Sequence, residues 1–350
     1  MRHAVLPLLV LWLAGCASCE RPMPTSTHGQ TPLRAPVIAP ALPLASYELH
    51  EWGLVRGNLA DHVVLSGPRR APTPIPIAKP VLYVHRRGEG PLSLDVEVTL
   101  SSGAMVEHWP LVSGASGDSL AWRGVSVEAG HCASVRYPSL GEAPCNTLTG
   151  ADGCEAAELA TVETNDGDCL VYGGERWASL FYRGELSAPP SFPIEVTPGS
   201  EGSARVMVLR PIVGRLVRVR DGVASAFDAT VGQSIELSSG APVRGAEVLG
   251  SALSEAGLTD DEVAAFRRAW DPTLFPSTVA STTTTPTTAA PVAGGLFLAR
   301  SRDTLLYVLS AADADQLSTL RLTPAPTRVS RAIVVWLDLG SGHGAYEPPY

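Results

Sequence analysis

The chain reads as mainly β: a β-sandwich-like domain followed by a smaller α+β C-terminal part. Three observations lead there. The segment "LSLDVEVTL" sets Leu94, Val96, Val98 and Leu100 against Asp95, Glu97 and Thr99, the period-2 alternation of a half-buried strand. The segment "RLVRVRDGVASAF" places Asp221-Gly222 between two apolar-alternating arms, as a two-residue hairpin turn with positive φ requires. Further short apolar runs, "PVLYVH", "LAWRGVSV", "SLFYRG", "IEVT" and "RVMVLR", are separated by Gly, Pro and Ser, the spacing of a sandwich.

Taken in order, the first residues form a leader. Arg2 and His3 precede an apolar run from Ala4 to Ala14, shorter than the ~20 residues needed to span a bilayer and laid out as a signal peptide over residues 1–15. Leu13-Ala14-Gly15-Cys16 resembles the bacterial lipoprotein box, in which the cysteine sulfur takes a diacylglycerol, cleavage falls before it, and the new amino terminus is acylated, commonly with palmitate. The resemblance implies a membrane-lipid partner through Cys16 and a place in the cell envelope. By resemblance to enterobacterial lipoproteins, Ala17 in place of aspartate implies the outer membrane rather than retention at the inner one. A thioether cannot exchange disulfides, so Cys16 and Cys19 are not read as a redox pair. Residues 16–46 then form the anchor and a spacer, with prolines at 22, 24, 32, 36, 40 and 43 and no hydrophobic period, the composition of a semi-rigid extended segment.

The body is assigned to 47–245 for the β-rich part and 246–350 for the α+β part. A hydrophobic content of 45% supports a core, and 33 glycines and 30 prolines in 350 residues stay below the ~25–30% that marks disorder. The net charge of −9 excludes the basic surfaces that nucleic acid demands. "LSLDVEVTL" and "AMVEHW", joined by Ser101-Ser102-Gly103, are expected to pair as a hairpin. In "GLTDDEVAAFRRAW", Thr259 and Glu262 form a capping box, Val263, Phe266 and Trp270 share a face, and Pro272 is expected to stop the helix. "STTTTPTTAAP", 281–291, is a low-complexity loop. "LFLAR", "TLLYVLS" and "AIVVWLDL" read as strands, with a short helix capped by Ser310 and Asp313.

Cys132, Cys145, Cys154 and Cys169 fall in one window of fewer than 40 residues. In an envelope compartment they read as two disulfides. Of three pairings, Cys132 with Cys145 and Cys154 with Cys169 is preferred. No Cys-x-x-Cys pair exists among them, so zinc is not expected there. Asp152, Glu155, Glu158, Glu163, Asn165, Asp166 and Asp168 lack the EF-hand order and read as a solvated acidic loop. No metal and no cofactor are expected.

Candidate chemistry centres on two strand-like stretches. His50, Glu51 and Trp52 begin like H-E-x-x-H, but Leu54 replaces the second histidine. Successive strand residues face opposite ways, so His50 and Glu51 cannot grip one ligand, and one of them is expected to be partly buried. Glu107, His108 and Trp109 repeat the pattern. Three function classes stay open: a structural or ligand-binding envelope protein, which leads; a carbohydrate- or peptide-binding module that stacks ligands on Trp52, Trp109 or Trp122 and meets an envelope glycan or protein; and a hydrolase with Glu51 and Glu107 as acid and base. Nucleophile-elbow, P-loop and dinucleotide motifs are absent from the sequence, and no catalytic residue is assigned.

These segments together resemble a family. "LHEWGLV", "KPVLYVH" leading to "MVEHWP", "SLFYRG", "EAGLTDDEVAAFRRAW", "TLLYVLS" and "LRLTPAP" are similar, in order and spacing, to uncharacterised secreted or lipid-anchored bacterial proteins of the myxobacterial and planctomycete type, marked by an early HEWGTFT-like stretch. "GLVRG" departs from the usual threonine-rich continuation, and the threonine run at 281 is an insertion. The resemblance implies an envelope location and carries over no reaction.

Overall fold

The computed structural model describes residues 46–59, 74–148, 153–199, 203–238, 240–276 and 303–340. Cys16, the stretch read as a signal peptide, nearly all of the proline-rich segment, "LFLAR" and the threonine run lie outside these residues. The described residues all belong to one compact unit.

The chain is mainly β and sandwich-like, with a small helical part. One large sheet organises it. Its strands are β1 (Ser46–Asn58), β2 (Ile75–Arg87), β4 (Ala104–Trp109), β8 (Leu180–Leu186), β11 (Ile212–Arg220), β12 (Val223–Phe227), β14 (Asp303–Leu309) and β16 (Arg328–Asp338), in the order β12-β11-β14-β16-β1-β2-β8-β4. All neighbours are antiparallel except β1 and β16. A five-stranded sheet has the order β15-β3-β5-β6-β7, from β3 (Ser93–Leu100), β5 (Ser119–Glu128), β6 (Cys169–Tyr172), β7 (Glu175–Trp177) and β15 (Ser318–Thr323). A three-stranded sheet holds β9 (Ile194–Pro198), β10 (Ala204–Val208) and β13 (Ser234–Glu236). The stretch read as the smaller α+β C-terminal part supplies β14 and β16 to the large sheet and β15 to the second.

The alternation of "LSLDVEVTL" survives intact: Leu94, Val96, Val98 and Leu100 are buried. Its expected hairpin partner is a correction, because β3 pairs with β5 and β15 while β4 pairs with β8. Gly103 turns the corner between the sheets at φ 90°, where a Cβ would stand 1.8 Å from the Glu185 carbonyl oxygen. The Asp221-Gly222 hairpin forms as expected, with φ of 49° and 79° and β11 paired to β12.

Three α-helices are described: α1 (Gly245–Glu255), α2 (Asp260–Leu274) and α3 (Ala311–Ala314). α1 is additional to the helices expected from the sequence. It packs on β11, where Gly214 leaves room for Ala252. In α2 the capping box is present, Thr259 Oγ1 accepting from the Glu262 N–H at 3.2 Å and the Glu262 carboxylate accepting from the Thr259 N–H at 2.9 Å. Pro272 lies inside the last turn of α2 rather than ending it.

The large sheet is covered on both sides. One face meets the second sheet, the Tyr182 hydroxyl reaching Ser318 Oγ at 3.0 Å and Leu100 lying against Gly184. On the other face, the edge of Phe266 in α2 meets the Trp52 ring, centroids 5.5 Å apart at 82°. A 3₁₀ helix over Ala156–Val162 packs beside α2. β1 is therefore buried on both faces from Leu54 back to His50.

Both disulfides form, but with a different pairing: Cys132 with Cys169, and Cys145 with Cys154. The β5–β6 ladder explains it. Glu128 stands opposite Cys169, and the Cys169 N–H donates to the Gly130 carbonyl, which brings Cys132 to Cys169 with Cα atoms 4.7 Å apart. Peptide mapping without reduction is expected to recover 132 linked to 169 and 145 linked to 154, and a 132–145 linkage would refute the nested arrangement. With sequence separations of 37 and 9, removing each bridge is expected to cost about 4 and about 2.5 kcal/mol in chemical denaturation, from chain entropy.

Candidate functional site

Glu51 and Glu107 do not form an acid–base pair. Register places Glu51 opposite Leu82, Leu82 opposite Leu180, and hence Glu51 on the face of Tyr182. Glu107 stands opposite Arg183, on the other face, with β2 and β8 between the two strands. Each carboxylate is satisfied where it lies. Glu51 accepts from the Tyr182 hydroxyl at 2.6 Å and from Arg331 Nε at 2.5 Å, and Arg331 is held further by Ser318 and Asp315. Burial pushes the Tyr182 hydroxyl well above its usual pKa, and the neighbouring Glu51 adds to it. Glu107 accepts from the Ala156 N–H at 2.8 Å and the Glu155 N–H at 3.2 Å, with Arg183 Nε 3.2 Å away. Its carboxyl is raised by burial, against the pull of those donors.

The tryptophans are interior. Trp52 and Trp122 are 0% exposed and Trp109 is 9%. Trp122 donates its indole N–H to the Pro110 carbonyl at 2.8 Å, and Trp109 meets Trp177 edge-on at 5.1 Å. A sugar needs an open ring face, so these three side chains are core rather than a stacking platform. His108 accepts the Val112 N–H at Nε2, 3.1 Å, and burial lowers its pKa.

The geometry instead brings His50 together with His85, which the sequence marked only as part of a strand, and Glu262, which it marked only as a helix cap. Register sets His50 opposite Tyr83, so His50, Tyr83 and His85 share the helix-covered face. The capping box fixes Glu262 at the third position of α2 and aims its carboxylate back at the sheet. His50 Nδ1 lies 2.8 Å from one carboxylate oxygen and His85 Nε2 lies 2.8 Å from the other. The two rings stand 4.3 Å apart. His85 Nδ1 is 3.2 Å from the Asp166 carbonyl oxygen, and His50 Nε2 is 3.6 Å from Glu48. Burial would raise the Glu262 carboxyl, yet the hydrogen bonds from His50 and His85 outweigh it and hold the group at about 2. For His85 burial acts downward, and the bond to Glu262 overrides it and raises the pKa. Both of the adjacent residues His50 and Glu51 are thus deeply buried, because the sheet is covered on both sides.

The acidic window is not simply solvated. Asp168 accepts from the Gly130 N–H at 2.6 Å and from the Arg86 backbone N–H. The side chain of Lys79, the sole lysine, pairs with Glu158 and lies over the Trp270 ring, while its backbone N–H donates to Glu155 at 2.8 Å. These bonds clamp the disulfide window onto β2.

No protein-family model and no curated protein sequence matches this chain. Strand alternation sets His50 beside Trp52 and His85 beside Tyr83 on one face, and the capping box marked Glu262. Nothing in the sequence aligned the three.

Burial raises the Glu155 carboxyl to about 7, opposed by Lys79 and Arg183. Folding therefore favours its neutral form. That contribution is complete below about pH 4.5 and is lost as pH climbs through about 7. Urea unfolding across this range is expected to show the natural protein losing on the order of 2 kcal/mol relative to Glu155→Gln; parallel pH profiles would contradict the assignment.

Proposed function

We propose that the protein is a lipid-anchored component of the bacterial cell envelope whose sandwich body serves a structural or ligand-binding role. The Leu13-Ala14-Gly15-Cys16 box behind a short apolar run carries this reading. Two disulfides in the body suit an oxidising compartment. The acids considered for catalysis support a non-enzymatic role, since Glu51 and Glu107 lie on opposite faces of one sheet and are each spent on an arginine. Acyl chains on Cys16, at ~0.8 kcal/mol per buried CH₂, would hold the body at a membrane, and the proline-rich segment would set it off the surface.

A ligand-binding role has a place to reside. A depression on the five-stranded sheet is lined by Glu97, Ser119, Arg123 and Tyr172. Its hydroxyl, carboxylate, guanidinium and partly buried aromatic groups are the chemistry that grips a polar saccharide or short peptide.

Replacing Cys16 with alanine is expected to abolish incorporation of a fatty-acid probe and to release the protein from membranes; undiminished labelling would end the anchor reading. Residues 47–350, screened against glycans and peptidoglycan fragments, are expected to bind through the depression and to lose binding on Arg123→Ala. A uniformly negative screen would leave the structural role.

A further inference from the structure

The His50, His85 and Glu262 cluster has the composition and backing of a metal centre. One ligand atom from each side chain lies within 4.8 Å of the others, and all three residues are buried. The donors come from three elements, β1, β2 and the first turn of α2, so their convergence is a tertiary feature and not a by-product of one helix face.

The outer partners give the second, independent indication. Metal-bound histidines characteristically donate their remote N–H to a carbonyl or carboxylate, which directs the opposite lone pair at the metal. His85 does this through Nδ1, 3.2 Å from the Asp166 carbonyl oxygen, leaving Nε2 aimed at Glu262. His50 is 3% exposed, and its Nε2 has no hydrogen-bond partner. The nearest anion to that nitrogen is Glu48, at 3.6 Å, while Nδ1 faces Glu262. Ser330, directly opposite His50 across the β1–β16 pair, also has a buried hydroxyl without a partner. His85 faces an acceptor at each nitrogen, the Asp166 carbonyl at Nδ1 and the Glu262 carboxylate at Nε2, so a neutral ring that donates from Nδ1 turns its Nε2 lone pair on a carboxylate oxygen. A cation seated between that lone pair and the carboxylate relieves the opposition.

We propose that His50 Nδ1, His85 Nε2 and the Glu262 carboxylate bind one divalent transition-metal ion of the zinc class. Two imidazole nitrogens with one carboxylate suit zinc and its borderline neighbours, whereas magnesium and calcium take oxygen shells. The His–Glu separations of 2.8 Å are hydrogen-bond lengths. Tetrahedral ligands at zinc bond lengths stand about 3.3 Å apart, so loading needs each His–Glu pair to open by roughly half an ångström. The ion would staple α2 to the centre of the large sheet.

The test uses the full-length protein without an affinity tag. Elemental analysis after zinc loading and gel filtration is expected to return one zinc per chain. With free zinc at about 100 times its dissociation constant the folding equilibrium is expected to shift about 100-fold, read as a higher Tm that a chelator reverses. His85→Asn is expected to abolish both effects. Zinc-edge X-ray absorption on the natural protein, which needs no variant to fold, is expected to show imidazole and carboxylate ligands. Loss of all zinc on filtration with an unchanged Tm overturns the proposal. So does a folded His85→Asn protein that keeps its zinc, or a shell of sulfur or of oxygen alone.

Discussion

Covering both faces of the eight-stranded sheet is the constraint from which the rest of this molecule follows. In a sheet open to water on one side, the side chains that alternate outward need no partner. Here one face lies under the second sheet and the other under α2 and the 3₁₀ helix, so the buried charged residues at the middle of β1, β2, β4 and β8 need partners inside. Unpaired burial of a charge is far too costly to persist. The consequence is a set of separate polar knots: Glu51 with Arg331 and Tyr182 on one side, and Glu107 with Arg183 and His50 with Glu262 and His85 on the other.

These knots also hold the layers in register. Arg331 reaches from β16 to Ser318 and so to the edge of the second sheet. Glu262 reaches from a helix to two strands. Breaking one partner of such a buried pair costs more than the pair itself contributes, about 3–5 kcal/mol, because the remaining group is stranded. The disulfide window adds a third tie, since Asp168, Glu155 and Glu158 fix it to β2.

What the sequence disclosed was local. The period of β3, the Asp221-Gly222 turn and the Thr259–Glu262 box are each written in fewer than ten residues, and each formed as read. What it concealed was pairing. His50 and Glu262 are 212 residues apart, and no periodicity within either segment reports the other. The β3–β4 corner misled for a related reason: Ser101-Ser102-Gly103 suits a tight turn, but the backbone of Glu185 beside Gly103 sends the two arms into different sheets. Cysteine spacing favoured neighbours, whereas the β5–β6 ladder decided the bridges. Alternation also marked Trp52, Trp109 and Trp122 correctly as strand residues while saying nothing of what would cover them.

The parallel pairing of β1 with β16 has a bearing on biogenesis. Synthesis delivers β1 first and β16 last among the described strands, yet the two lie side by side at the middle of the sheet, so the half comprising β1, β2, β8 and β4 presents a naked inner edge until β16 arrives. Such an edge is a template for pairing with another chain, and closing it late demands a contact of high sequence separation, which is slow. The arrival of β16, rather than of any strand before it, therefore sets the moment at which this polypeptide can complete its central layer, and a holdase that shields β1 during that interval would protect it from self-association.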